Sequence, residues 1–168
     1  MSVNYINEQQ KINGENFRKQ VNGFGFNFYL LYKLPAAFFS GVRMVKLTEN
    51  ECKVKVPYKW FSQNPFRSTY FACLAMAGEM STGVPCMMAI DKMKPRVSML
   101  VVDLKASFTK KATDITTFTC TDIAKIYDTV RKAVETKEGQ TIETTSIGRN
   151  KVGDEVAVFK ITWSFKSK

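Results

Sequence analysis

One acidic residue stands alone in a long apolar segment. Glu79 is the single charged residue between Arg67 and Asp91. The segment Ser68–Gly83 predicts a helix, because it is rich in Ala, Leu and Met, a Ser or Thr can cap its start, and Gly83 can end it. The helix is apolar on nearly every side, which predicts a place in the core. A buried carboxylate is costly unless it is hydrogen-bonded, protonated or open to a pocket, so Glu79 is the first candidate for chemistry.

The residue types that are missing narrow the chemistry further. The sequence has no histidine, which excludes Ser-His-Asp and Cys-His catalysis and the usual nitrogen ligands of zinc. It also has no G-x-S-x-G motif and no Walker lysine loop. If the chain is an enzyme, a carboxylate must do its acid/base work. The alternative is a structural Glu79 that is half-buried and paired with one of the many lysines.

The chain is strongly basic, with a net charge of +10 from 25 Lys and Arg against 15 Asp and Glu. The cations are scattered along the chain, and no RNP, zinc-finger or KH motif is present. Scattered charge predicts a solvated surface whose positive field also suits small anions. We therefore do not expect nucleic acid as a partner.

Length and cysteine use indicate the class of protein. A chain of 168 residues fits one domain over residues 1–168. Its first residues are polar, and its four cysteines form no C-x-x-C pair. These features predict a cytoplasmic protein without disulfides, metal or cofactor. The aromatic segment Phe24–Leu34 is too short to span a membrane. We expect it to pack on the domain rather than to make an interfacial or acyl-chain contact.

The order of predicted elements indicates an α+β fold. A polar surface helix over residues 4–22 and the aromatic segment precede Pro35, and alternation then predicts a hairpin of Val42–Thr48 with Cys52–Val56. Five strand-like segments follow the apolar helix, namely Val84–Asp91, Val97–Thr109, Ile115–Thr121, Thr141–Asn150 and Val156–Lys168. An amphipathic helix is predicted between the third and the fourth of them, over Asp122–Lys137. This order predicts a curved antiparallel sheet wrapped round the apolar helix.

These elements, together with the segment Trp60–Glu79, resemble the hotdog-fold acyl-CoA thioesterases, and more narrowly the DUF4442-type branch. The resemblance covers residues 35–168, with residues 1–34 as an N-terminal helical extension. In related thioesterases the loop into the central helix reads Asn-x-x-x-x-x-His-Gly-Gly, with an acid farther along. Here Asn64 matches the Asn, Tyr70 replaces His, Phe71-Ala72 replace Gly-Gly, and Glu79 falls on the acidic position.

The resemblance implies a function for each matched residue. Glu79 would activate water as general base or attack directly, and Asn64 would orient the water or the carbonyl. The amides near Phe71 and Ala72 would form an oxyanion hole, with Ser68 and Tyr70 beside the substrate. The alternatives are structural: Asn64 as a turn residue before Pro65, and Ser68 as a helix cap.

The resemblance also implies a ligand and an assembly. Lys110 and Lys111, after Phe108, would contact the phosphates of an acyl-CoA substrate, although adjacent lysines are more often solvated. Family members pair their sheets, so a homodimer or homotetramer is expected. Two other functions remain open. The first is a non-catalytic hotdog module that binds acyl-CoA or fatty-acyl ligands, and the second is a structural protein with a vestigial pocket.

Overall fold

The computed structural model describes residues 3–168, with side chains for residue 8 and residues 10–168. Residues 1 and 2 of the predicted domain lie outside the described part. The described elements, in chain order, are α1 Val3–Val21, α2 Gly25–Lys33, α3 Pro35–Phe39, β1 Arg43–Leu47, β2 Cys52–Val56, the short 3-10 turn Trp60–Ser62, α4 Phe71–Ile90, β3 Val97–Phe108, β4 Thr116–Cys120, α5 Ile123–Thr136, β5 Gln140–Arg149 and β6 Glu155–Ser167.

The strands form one antiparallel six-stranded sheet in the order β1-β2-β4-β5-β6-β3. The predicted hairpin is confirmed as β1 and β2, and β3 pairs with β6 along its whole length, from Val97 opposite Ser167 to Phe108 opposite Ala157. The strand that follows α4 in the chain therefore lies at the edge of the sheet. Its outer backbone groups have no neighbouring strand among residues 3–168.

The sheet curves round α4, as the sequence predicts. Alternate residues of β6 face the helix and are buried, among them Phe159 and Trp163. Gly78 allows the close approach, because a Cβ atom there would lie 2.8 Å from the ring of Phe159. Helix α4 contacts β2, β3, β4, β5 and β6, and α5 packs beside it against β5 and β6. This arrangement confirms the α+β prediction of a curved sheet round a central helix.

The prediction that α4 ends at Gly83 is wrong, and so is the strand predicted over Val84–Asp91. The helix continues through Gly83 and Pro85 to Ile90. Gly83 serves close packing rather than termination, because a Cβ atom there would lie 3.0 Å from Glu79 Oε1 and 3.2 Å from the Trp163 ring. The burial of this half of α4 in the core offsets the poor helix propensity of Gly and Pro.

The start of α4 also differs from the predicted cap. Tyr70 is the N-cap residue and its side chain makes no capping hydrogen bond, so neither Ser68 nor Thr69 caps the helix. Both hydroxyls bond elsewhere, that of Ser68 with the Asn64 side chain and that of Thr69 with the carbonyl of Ala112. No side chain at Tyr70, Ser68 or Thr69 therefore accepts a hydrogen bond from the first backbone N–H groups of α4.

Helix α4 is long and apolar enough to cross a membrane, and within the described chain it alone meets that criterion. However, 72% of the apolar stretch that meets this criterion is buried inside the molecule. It is therefore the core helix of a globular fold.

The predicted aromatic helix is confirmed as α2, but it packs on the domain by one side only. Leu30 is fully buried and Phe26 packs against the core. Phe24 and Tyr32 are 79% and 81% exposed. The expectation of packing thus holds for the inner side, and the outer aromatic side chains remain in contact with solvent.

Candidate active site

A cavity of about 500 Å³ lies between the start of α4, the loop before it and the end of β3. Six residues that the sequence singled out line it, namely Asn64, Ser68, Tyr70, Phe71, Lys110 and Lys111. Phe108, Leu74 and Ala112 complete its apolar wall. Leu74 and Ala112 were not among the sequence candidates, although the helical spacing of Leu74 from Tyr70 and Phe71 could have indicated it. The cavity is thus shaped for an apolar group with a few polar atoms around it.

Asn64 closes the loop that forms one wall of this cavity. Its side-chain oxygen accepts hydrogen bonds from the backbone N–H groups of Phe66 at 2.9 Å and Ser68 at 3.2 Å. Its side-chain N–H donates to the Ser68 hydroxyl at 3.1 Å. The side chain thus forms an Asx turn, and these contacts match the structural alternative for Asn64. The direct role of Asn64 toward substrate stays a prediction.

Hydrogen bonds tie the end of this loop to the segment after β3 and to the short 3-10 turn. The N–H and the hydroxyl of Thr69 both donate to the carbonyl of Ala112, at 2.8 and 3.1 Å. The N–H of Tyr70 donates to the carbonyl of Ser62 at 2.7 Å. These bonds hold the start of α4 next to the segment that follows β3 and next to the 3-10 turn.

The start of α4 offers hydrogen-bond donors at the cavity. The backbone N–H groups of Cys73 and Leu74 donate to the carbonyl of Tyr70. The backbone N–H groups of Phe71 and Ala72, in contrast, have no acceptor among the described residues. Free amides at a helix start carry partial positive charge and are suited to an oxyanion. Phe71 itself lines the cavity.

The cavity mouth is aromatic. Phe66, Tyr70 and Phe71 are exposed, and the rings of Tyr70 and Phe71 meet edge to face at 5.0 Å. The Tyr70 hydroxyl has no hydrogen-bond partner among the described side chains and backbone groups. It is therefore available to a ligand.

The two lysines at the end of β3 differ in their partners. Lys110 Nζ lies 2.5 Å from the carboxylate of Asp154, and this bond lowers the pKa of Asp154 below its usual value. Lys111 Nζ reaches only the carbonyl of Phe66, at 3.5 Å, and forms no ion pair within the described chain. Of the two predicted phosphate contacts, only Lys111 has a charge that no neighbouring carboxylate compensates.

Glu79 is half-buried, and its Oε1 lies close to Gly83. The ring of Trp163 also lies close to Gly83, and its indole N–H donates to the Thr82 hydroxyl at 3.1 Å. The Glu79 carboxylate has no ion pair or hydrogen bond among the described residues, so the lysine-paired alternative is wrong for that part of the chain. Burial raises the pKa of Glu79 above its usual value.

Glu79 does not line the cavity of its own chain. It lies eight residues after Phe71, which is about 12 Å along the helix axis. Ala72, Met76 and Glu79 form a half-buried stripe on one face of α4. The ring of Trp163 lies close to Gly83, one turn farther along α4, and Trp163 pairs with Val101 of β3. Glu79 thus lies near the part of α4 that packs against β6, the strand next to β3.

All four cysteines are buried free thiols. Burial raises the pKa of Cys120 to about 11 and also raises the pKa of Cys52 and Cys86, so these thiols are poor nucleophiles. Across the described residues, no group of three or more His, Cys, Asp or Glu side chains is placed to hold a metal ion.

Comparison with known proteins supports the same architecture. The model of the DUF4442 family, a domain of unknown function, matches residues 27–165. A search of curated proteins finds no match. The Pseudomonas aeruginosa protein PA5026, described as a probable thioesterase, superposes with a TM-score of 0.73 at 17% identity, covering 92% of this chain and 95% of that one.

Two further solved structures have the same fold. A Shewanella oneidensis protein superposes with a TM-score of 0.72 at 9% identity over 92% of this chain and 99% of that one. The Haemophilus influenzae thioesterase HI1161 superposes with a TM-score of 0.61 at 11% identity, over 84% of this chain and 88% of that one. At these identities the likeness establishes the fold alone.

Proposed function

Because this chain belongs to the DUF4442 family and has the hotdog fold, we propose that it is an acyl-CoA thioesterase. The observation that carries this proposal is the partly apolar cavity at the start of α4, where the first two backbone amides of the helix have no acceptor among the described residues. The structural neighbours named as thioesterases support the same reaction class.

The substrate carbonyl lies in this cavity with its oxygen toward the N–H groups of Phe71 and Ala72. Attack on the carbonyl carbon places negative charge on that oxygen. The two amides and the positive end of α4 stabilise this charge without rearranging, which is the largest contribution that such sites make. The acyl chain rests against Leu74 and Phe108.

Glu79 acts as the general base. Its carboxylate accepts a proton from water while the water oxygen bonds to the carbonyl carbon. The tetrahedral intermediate then collapses, the C–S bond breaks, and the departing thiolate takes up the proton. The raised pKa of Glu79 suits this task, because a base is most effective when its pKa approaches the working pH.

Two copies of the chain build each site. Because Glu79 does not line its own cavity, we place the partner subunit's Glu79 beside it in a homodimer formed through β3. This twelve-residue edge strand leaves Leu100, Val102, Leu104 and Phe108 exposed. A long apolar edge with unpaired backbone groups readily pairs with another strand. The expected homotetramer would add further contacts between such dimers.

The setting that we propose is the cytoplasm. Four reduced, buried cysteines suit a reducing compartment, and α4 is a core helix rather than a membrane anchor. The reaction needs no cofactor, because the carboxylate and the backbone amides supply both catalytic functions.

A second function is favoured by one specific observation. Tyr70, Phe71 and Ala72 stand where related enzymes have His-Gly-Gly, so the Phe71 ring occupies space at the mouth of the cavity. This favours a hotdog module that binds acyl-CoA or a fatty-acyl group without cleaving it. Such a module would bind acyl-CoA tightly and release no thiol.

The test is thiol release from short, medium, long and aromatic acyl-CoAs by the purified full chain. We expect turnover of at least one class, and the preferred acyl length will follow from the size of the cavity. Calorimetric binding of the same acyl-CoAs is the control. Binding without turnover would replace the enzyme with the binding module, and neither binding nor turnover would leave a structural protein with a vestigial pocket.

A further inference from the structure

The cavity has too little positive charge for the nucleotide end of coenzyme A, which carries three phosphate groups. Lys110 and Lys111 are the cations in its wall, and Asp154 already neutralises Lys110. Phosphate contacts are strongest when cations have no competing carboxylate. If the substrate is an acyl-CoA, further cations must come from outside the cavity of the same chain.

The loop between α4 and β3 carries three exposed cations. Lys92, Lys94 and Arg96 are exposed, whereas Met93 between them is buried and anchors the loop. The three cations line a second concavity of about 400 Å³. Lys92 and Arg96 form no ion pair with the described residues, and the neighbouring Asp91 carboxylate is not paired with either of them. We call Lys92, Lys94 and Arg96 the basic loop.

Strand pairing decides where the basic loop lies in a dimer. If two β3 strands pair antiparallel about the midpoint of Val97–Phe108, Val97 of one strand lies opposite Phe108 of the other, about 5 Å away between Cα atoms. Phe108 lines the cavity, and Arg96 directly precedes Val97. The basic loop of one subunit therefore lies beside the cavity of its partner.

We propose that the basic loop binds the nucleotide phosphates of an acyl-CoA held in the partner subunit's cavity. This proposal rests on the proposed function and on the β3 dimer. Each site then combines a cavity and oxyanion amides from one subunit with Glu79 and the basic loop from the other. Lys111 contributes one cation from the cavity side, and Lys92 and Arg96 contribute the rest.

The test compares substrates with and without the nucleotide. The variant Lys92→Ala/Arg96→Ala should raise KM for an acyl-CoA about tenfold, as expected for two charge-assisted contacts that remain open to solvent. Its KM for the matching acyl-pantetheine, which lacks the nucleotide phosphates, should not change. The control variant Lys55→Ala/Lys132→Ala removes the same charge from exposed sites on β2 and α5 and should leave both KM values unchanged.

Calorimetric binding of coenzyme A separates this proposal from the proposed function. If the wild type turns over no acyl-CoA, the thioesterase proposal fails, while weaker coenzyme A binding in the loop variant alone would still support the phosphate site. Equal affinities of the wild type and the loop variant for coenzyme A would overturn the phosphate-site proposal. The same holds for equal KM changes with acyl-CoA and acyl-pantetheine, and for a wild type that does not bind coenzyme A.

Mixed dimers test which subunit supplies the basic loop. A dimer of one Glu79→Gln chain and one loop-variant chain keeps one site with an intact base. That site has the cavity of the Glu79→Gln chain and takes Glu79 from the loop-variant chain. If the partner of the cavity also supplies the basic loop, the site contains the altered loop, and KM for acyl-CoA is raised. A wild-type KM in the mixed dimer would assign the loop to the cavity of its own chain and overturn the proposal.

Discussion

The Glu79→Gln variant should lose turnover of acyl-CoA by about 100- to 10,000-fold in kcat, which is the usual contribution of a general base. Glutamine keeps the shape of the side chain but does not accept the proton of the attacking water. Substrate binding should change little, because the Gln side chain occupies the same space beside the cavity as Glu79 does. Steady-state thiol release, with kcat and KM determined separately, measures the effect.

The fold of this variant should remain intact, and its stability provides a control. The raised pKa of Glu79 in the folded state means that the folded protein holds the proton more tightly than the unfolded chain does. Wild-type stability therefore falls as pH rises from the unfolded value through the raised folded value, and the Gln variant lacks this decrease. Denaturant unfolding at several pH values measures the difference.

Two results would remove Glu79 from the mechanism. One is a folded Gln variant with wild-type kcat, and the other is an equal loss in the matched variant Glu138→Gln, which changes an exposed carboxylate. The pH profile of the wild-type kcat gives a further check. It should rise through the pKa of Glu79, because only the ionised carboxylate accepts a proton.

Leu104→Lys should dissociate the dimer and abolish turnover to a similar extent. Leu104 is near the middle of β3 and 46% exposed in the single chain, so the change adds no buried charge to the monomer. In a β3 dimer the two introduced lysines would lie close to the two-fold axis, where like charges repel in an apolar setting. Light scattering measures the mass, and thiol release measures the activity.

The matched control lies on the opposite edge of the sheet. Val45 of β1 is 49% exposed, and Val45→Lys adds the same charge to an edge strand that the proposed dimer does not use. The control should remain dimeric and active. A Leu104→Lys variant that is monomeric yet fully active would show that each chain holds a complete site, against the shared arrangement.

Much of the sheet follows from local patterns in the sequence. In β6, apolar and polar side chains alternate, and Phe159, Ile161 and Trp163 are buried as that alternation predicts. The β1–β2 hairpin and the amphipathic α5 were likewise predicted, because a period of 2 or 3.6 residues records which side faces the core. These elements depend on contacts that the local pattern already encodes.

The rest depends on contacts between residues far apart in the chain. Gly83 is a typical helix end, yet here it lies against Trp163 inside a helix that continues to Ile90. The bonds from Thr69 to the carbonyl of Ala112, which join the loop before α4 to the segment after β3, have no local signature. The sequence could therefore indicate the site residues on the loop and the strand end, but not that Glu79 lies outside their cavity.

The most direct test of the shared site is recovery of activity from two inactive chains. Thr109→Trp fills the cavity from an exposed wall position, and Glu79→Gln removes the base. Each variant alone should be inactive. A mixed dimer should regain one intact site, with the cavity from the Glu79→Gln chain and Glu79 from the Thr109→Trp chain. When equal amounts of the two chains pair at random, about half of the dimers are mixed, and each mixed dimer has one intact site of two. The expected thiol release is therefore about a quarter of the wild-type value. No recovery in mixed dimers verified by mass would contradict a site shared between two subunits.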